Sequence, residues 1–227
     1  MLKASGIYKR YGREIVLRNA GLDLNSEIKA LIGINGSGKS TFLKIIAGIV
    51  QAERGEVFIN GKDMTRLPPE QRNVGYVPQY PALFQHLNVE KNILYGVRKN
   101  KKASKAVYEK VVEMLALSDI LRKQPRELSG GYRSRVSLAR ALVPQPHILL
   151  MDEPLSGMDI VVRKKMLPDF RQVLKEFQIP VLYVTHDHEE SELMADSFAV
   201  MDRGEIRSVV SAAEAFEIIQ NSTLQTM

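Results

Sequence analysis

Residues 33–40, Gly33-Ile34-Asn35-Gly36-Ser37-Gly38-Lys39-Ser40, match the pattern G-x-x-x-x-G-K-[ST] at every position, and Thr41 follows. The chemistry open to this run is phosphate binding. Glycines let the backbone curl so that successive N–H groups point inward at an anion. A helix beginning near Lys39 would add its unsatisfied N–H groups and the positive end of its dipole. Lys39 is placed to reach the β- and γ-phosphates of a nucleotide, and the Ser40 hydroxyl to ligate Mg²⁺. Average residue frequencies produce such a match by accident in about one chain of this length in a hundred. A fortuitous glycine-rich turn is therefore the alternative, and the flanking elements decide between the two.

A second constellation, Ile148-Leu149-Leu150-Met151-Asp152-Glu153, is an apolar run that ends in two carboxylates. In an open parallel sheet, ligands gather at the carboxyl ends of strands, which would set both acids facing the phosphate loop. Asp152 suits Mg²⁺, held directly or through water. Glu153 suits a general base that polarises the attacking water. Taken alone, the pair fits a strand that merely exits into solvent equally well; beside a phosphate loop the catalytic reading gains.

Both constellations need elements to carry them. Ile28-Lys29-Ala30-Leu31-Ile32 predicts a strand running straight into the loop. Thr41 to Ile49 predicts a helix with Phe42, Ile45, Ile46 and Ile49 on one face. Gly55 to Gly61 and Val74 to Val77 predict further short strands, the second stopped by Pro78. From about Pro81 to Ser137 helical stretches such as Ser104 to Leu115 take over, which predicts a helical subdomain inserted into the core. The core returns with Ile148 to Met151 and with Val181 to Val184. Short apolar runs alternating with longer amphipathic stretches argue for an α/β domain with a largely parallel sheet.

At 227 residues, 44% hydrophobic and 26% charged, the chain is long enough for one substantial core and ordinary for a globular protein. The net charge of +6 suits nucleic acid, an anionic membrane surface or phosphate-bearing ligands. Much of it sits in one run, Arg98-Lys99-Asn100-Lys101-Lys102 with Lys105 following, which reads first as a solvated loop and helix start. The lack of cysteine excludes disulfides, thiol catalysis and Cys-ligated zinc. Met1 to Gly6 has no long apolar stretch of a signal peptide. No apolar segment approaches the ~20 residues that cross a bilayer, so a task at a membrane would need another chain to supply the pore.

Asp152-Glu153-Pro154 and Leu128-Ser129-Gly130-Gly131, together with the phosphate loop, resemble the nucleotide-binding subunits of ABC transporters, and the resemblance covers essentially the whole chain. It implies a P-loop NTPase fold: a largely parallel core sheet, an antiparallel β part near the N-terminus and an inserted α-helical subdomain. Residues 1–227 would form a single ATP-binding domain, with 1–80 and 138–227 as the ATP-binding core and 81–137 as the helical subdomain. The family works as a head-to-tail dimer with two ATP molecules sandwiched between the copies. By that resemblance, Asn35 to Thr41 hold the phosphates, Lys39 acts in catalysis, and Ser40 and Asp152 hold Mg²⁺. Tyr11, in Lys9-Arg10-Tyr11-Gly12, is similar to the aromatic that stacks on adenine. Gln79 resembles the glutamine linking Mg²⁺ and water to the helical subdomain.

Ser129, Gly130 and Gly131 resemble the signature that meets the γ-phosphate bound to the partner copy; read locally, Ser129 would equally serve as a helix N-cap. The next position is Tyr132, where the family commonly has glutamine. That departure bears on contacts near the partner's ribose, while the intact Ser129 and glycines predict that activity survives. Asp159 in Ser156-Gly157-Met158-Asp159 is similar to the acid of the dimer-contacting loop. His186 in Val184-Thr185-His186-Asp187 resembles the histidine that senses the γ-phosphate, with Glu153 as the base.

The run Pro81-Ala82-Leu83-Phe84-Gln85-His86-Leu87-Asn88-Val89-Glu90-Lys91-Asn92-Ile93 resembles importer motors for polar solutes, including molybdate or tungstate, sulfate, polyamines and sugars. The implied partners are a permease and, indirectly, an extracytoplasmic solute-binding protein, with the chain peripheral on the cytoplasmic face of the inner membrane. Nucleic acid is not an expected partner. An oxyanion such as molybdate or tungstate is the expected solute. Export or lipoprotein release is the alternative load. A repair or translation ATPase ranks below it, since neither a coiled-coil insertion nor a tandem motor is evident. The sequence ends at Met227, shortly after the core should close, which predicts no C-terminal regulatory domain.

Overall fold

The computed structural model describes residues 1–99 and 105–224. Residues 100–102 of the basic run, and the predicted helix start at Ser104, lie outside the described residues. In chain order the elements are β1 (Leu2–Tyr11), β2 (Glu14–Leu24), β3 (Ile28–Ile32), α1 (Lys39–Ile46), β4 (Arg54–Ile59), β5 (Lys62–Asp63), α2 (Pro69–Arg72) and β6 (Val74–Val77). There follow α3 (Val89–Ile93), α4 (Lys105–Met114), α5 (Gly130–Leu142), β7 (Ile148–Asp152), α6 (Ile160–Phe177), β8 (Val181–Thr185), α7 (His188–Met194), β9 (Ser197–Asp202), β10 (Glu205–Val209) and α8 (Ala212–Leu224).

Two sheets result. One is antiparallel in the order β2-β1-β4-β5. The other runs β10-β9-β3-β8-β7-β6, parallel from β9 to β6, with β10 added antiparallel at its edge. Between residues 81 and 129 the described residues form α3, α4 and 3₁₀ turns and no strand. From there α5 runs on through residue 137 to Leu142, carrying the helical segment into the core.

Side chains alternate across a strand, and the central strands use both faces. Leu149, Met151, Val181 and Tyr183 belong to a core shared with Val136 and Leu142 of α5 and Phe170 and Val173 of α6. Ile148, Leu150, Leu182 and Val184 belong to the opposite core, with Phe42, Leu43 and Ile46 of α1 and the inner face of the antiparallel sheet. Burial on both faces is why these strands read as unbroken apolar runs. The helix predicted to reach Ile49 ends earlier, at Ile46. Gly48 takes φ +78°, a left-handed conformation that turns the chain, and Ile49 is 52% exposed rather than on the buried face.

Arg72 closes the other end of α1. It is 2% exposed. Its Nη1 donates to the carbonyl oxygens of Ile45 (2.8 Å) and Ile46 (2.9 Å), its Nε to Leu67 O (2.7 Å) and its Nη2 to Thr65 O (3.2 Å). The cation thus meets the negative end of the helix that follows the phosphate loop. Arg72→Ala would strand several buried acceptors at once. It is expected to cost about 3 kcal/mol or more of stability, read as a lower urea midpoint at an unchanged slope.

Candidate active site

The loop between β3 and α1 is shaped by what cannot fit there. A Cβ on Gly33 would lie 2.5 Å from the Met201 carbonyl oxygen, and one on Gly38 would lie 2.8 Å from Leu17 Cδ2. Gly36 and Gly38 take φ of +83° and +108°, which favours glycine. The first turn of α1 has neither a capping side chain nor an acidic residue, so its N–H groups are open to an anion. Lys39 is buried, and its Nζ donates to the carbonyl oxygens of Gly33 (2.7 Å) and Ile34 (2.8 Å). An ammonium has three donors, so one remains for an incoming phosphate. Burial lowers its pKa from the usual lysine range, opposed by the Glu153 and Asp152 carboxylates.

Asp152 shares the parity of Leu150 along β7 and so turns toward α1. There Ser40 Oγ donates to its Oδ1 (2.8 Å), and Tyr76 Oη donates to its Oδ2 (3.0 Å). Burial, then the Asp152 charge, raise the Tyr76 pKa, which keeps the phenol a donor. Among the described residues no cluster of three His, Cys, Asp or Glu side chains could cage a metal. One carboxylate and one hydroxyl do fit Mg²⁺, which keeps several waters and binds through one or two carboxylates plus phosphates.

At Glu153 the chain leaves the strand with φ +45°. That left-handed conformation is uncommon for a residue with a side chain. Its N–H donates to Val184 O (3.1 Å), which holds the turn against β8. Its side chain is gripped from two sides: Gln79 Nε2 donates to Oε2 (3.3 Å), and His186 Nδ1 lies 3.0 Å from the same oxygen. Among the described residues the side-chain partners of Glu153 meet Oε2, which leaves Oε1 for another partner.

The structure gathers most of the sequence-predicted residues. Asn35, Gly36, Gly38, Lys39, Ser40 and Thr41 line one cleft with Tyr11, Gln79 and Glu153. Tyr11 is 49% exposed. Ser37 is buried beneath the loop. Ser129, Gly130 and Gly131 do not line this cleft. They open α5, where Ser129 Oγ accepts a long bond from Tyr132 N (3.4 Å) and acts as the local N-cap. Tyr132 is 40% exposed. Asp159 caps α6 by accepting from Val161 N (2.8 Å).

Other residues of the site escaped the sequence reading. Tyr76 is one. Glu190 is another: buried, it accepts from Tyr183 Oη and from Thr185 Oγ1 (2.6 Å), while Thr185 Oγ1 accepts from Asp187 N (3.0 Å). These bonds bracket His186 on both sides. Burial raises the Glu190 pKa, and the hydrogen bonds from Thr185 and Tyr183 oppose it. Arg163 pairs with Asp187 at 2.9 Å, tying the start of α6 to the same loop. The available signal was the run Asp187-His188-Glu189-Glu190 right after a strand: Asp187 caps α7 by accepting from Glu190 N (2.9 Å), which keeps Glu190 at the strand end.

The family model described as ABC transporter matches residues 17–156. The chain is 46% identical over 189 residues to a molybdate/tungstate import ATP-binding protein of Archaeoglobus fulgidus, covering 83% of this chain and 79% of that protein. It is 40% identical over 224 residues to a sulfate/thiosulfate import ATP-binding protein of Bacillus cereus, covering 95% of this chain and 63% of that protein. This chain therefore spans less than two thirds of the second relative's length. Among solved structures, a dimeric ATP-binding cassette in a post-hydrolysis state, bound to ADP and Pi, superposes with a TM-score of 0.78 at 27% identity, covering 92% of this chain and 98% of that one. With a phosphate loop, an acid pair and a family match along most of its length, the chain belongs to the ABC transporter family, as one of its ATP-binding cassettes.

Proposed function

We infer that this chain hydrolyses ATP to power import through a separate permease, closing head to tail on a second copy of itself. The observation that carries the reading is one cleft lined by an uncapped helix start, Lys39, Ser40 and the gripped Glu153 carboxylate, with Asp152 buried directly behind Ser40. The phosphates of ATP lie on the loop and the first turn of α1, with Lys39 on the β- and γ-phosphates and Tyr11 against adenine. Ser40 and Asp152 would hold Mg²⁺, with Gln79 alongside; when bound, the ion neutralises charge on the phosphates. Glu153 takes the proton of the attacking water at Oε1, because Oε2 is engaged by Gln79 and His186. His186 also meets the γ-phosphate.

Ser129, Gly130 and Gly131 of one copy complete the site of the other, since they stand outside their own cleft. A site split between copies makes hydrolysis conditional on closure. Closure moves residues 81–137, which we assign as the helical subdomain, and with them the docked permease. The chain then sits on the cytoplasmic face of the membrane, and an extracytoplasmic binding protein delivers the solute. The molybdate/tungstate and sulfate relatives support an oxyanion cargo.

The test is ATP turnover by the chain assembled with its permease in vesicles. Tungstate-loaded binding protein is expected to raise turnover several-fold, and an unchanged rate would overturn the oxyanion-import reading. Turnover by the parent also checks that Tyr132 is compatible with activity.

A further inference from the structure

The Asp152 carboxylate is held by two hydroxyls, one on each oxygen. Ser40 reaches Oδ1 from α1, and Tyr76 reaches Oδ2 from the neighbouring strand. Tyr76 stands opposite Leu150 in the parallel register of β6 and β7, two residues before Asp152 on the same face. Its ring packs against the core beneath α1. A ring fixed in this way sets the phenol oxygen, and the phenol in turn sets the rotation of the carboxylate.

We propose that Tyr76 is a positioning residue for the cation site: by occupying Oδ2 it leaves Asp152 a single oxygen, Oδ1, to offer beside Ser40, and so selects Mg²⁺ over larger divalent ions. The inference rests on the reading of Asp152 as the Mg²⁺-holding acid. The physical reason is coordination geometry. Mg²⁺ demands near-octahedral, one-oxygen contacts at short distance, whereas Ca²⁺ takes more ligands and accepts both oxygens of one carboxylate. A carboxylate pinned by a phenol cannot rotate to offer both. A carboxylate released from the phenol can, which favours the larger ion.

Tyr76→Phe removes the donor and keeps the ring; Tyr76→Met keeps an apolar filling without a hydroxyl. Affinity for a non-hydrolysable ATP analogue is measured by calorimetry with Mg²⁺, with Ca²⁺ and in EDTA, and thermal melting in EDTA monitors the fold. In both variants the ratio of Mg²⁺-supported to Ca²⁺-supported affinity is expected to fall by about tenfold, the effect of one lost hydrogen bond to a charged group. Binding in EDTA should match the parent, and each variant should still melt in one cooperative transition, at a lower temperature because the buried Asp152 carboxylate has lost a donor. An unchanged ratio in either folded variant, or an equal loss in all three conditions, would overturn the proposal. Asp152→Asn separates this from the underlying reading. If that variant keeps the parent's metal dependence, Asp152 does not hold the cation. If it loses that dependence while Tyr76→Phe keeps the parental ratio, only the role of Tyr76 fails.

Discussion

Glu153→Gln is expected to bind ATP as the parent does while hydrolysing it about 10²–10⁴-fold more slowly, the range for loss of a general base. Glutamine keeps the length of the side chain, and the backbone bonds from Glu153 N to Val184 O and from Ser156 N to Glu153 O hold the turn regardless of the side chain. What disappears is the oxygen that accepts the proton of water. The phosphate contacts of the loop are untouched, so closed dimers should accumulate in ATP and elute as such on size exclusion. Hydrolysis at the parental rate would place the base elsewhere.

Ser129→Asp is expected to abolish turnover without weakening ATP binding by the single chain. This substitution separates the two roles open to Ser129. Aspartate is as good an N-cap as serine, so α5 and its bond from Tyr132 N are preserved. Facing a γ-phosphate across a dimer, however, a carboxylate sets like charges together, where the reaction needs donors. Loss of one such donor alone lowers the rate by about 10²–10³-fold. Parental turnover by this variant would show that Ser129 is a helix cap and nothing more. Nucleotide affinity measured on the monomer distinguishes a defect in the partner's site from one in its own.

The parts of this molecule that depend on short, contiguous runs were legible in the sequence. The phosphate loop is one, because each of its glycines answers a local backbone need or a close contact. β7 and β8 are others, because burial on both faces leaves them apolar up to their last residue, and β3 departs from that pattern only at Lys29. An antiparallel part near the N-terminus was expected, but its long strands could not be located. β1 pairs with β2 through several register shifts between Ala4 and Arg10, which break the two-residue period that marks a strand.

The least legible parts were the contacts between distant positions. Tyr76 reads locally as one more strand residue; its role arises only because β6 lies beside β7 and brings the phenol to Asp152, 76 positions away. Gln79 and His186 were identified singly, yet their convergence on one oxygen of Glu153 is a property of the folded sheet. Ser129 shows only its cap within one chain; the second role we propose for it, completing the site of another copy, involves no contact inside a single chain.

The central claim is that each catalytic site is built from two copies, with Glu153 from one and Ser129 from the other. The most direct measurement mixes the two variants. Glu153→Gln dimers lack the base in both sites, and Ser129→Asp dimers lack the signature in both. A mixed dimer contains one site with an intact Glu153 and an intact partner Ser129. ATP turnover well above that of either variant alone is the expected result, whereas a mixture no more active than its separate components would contradict the shared site.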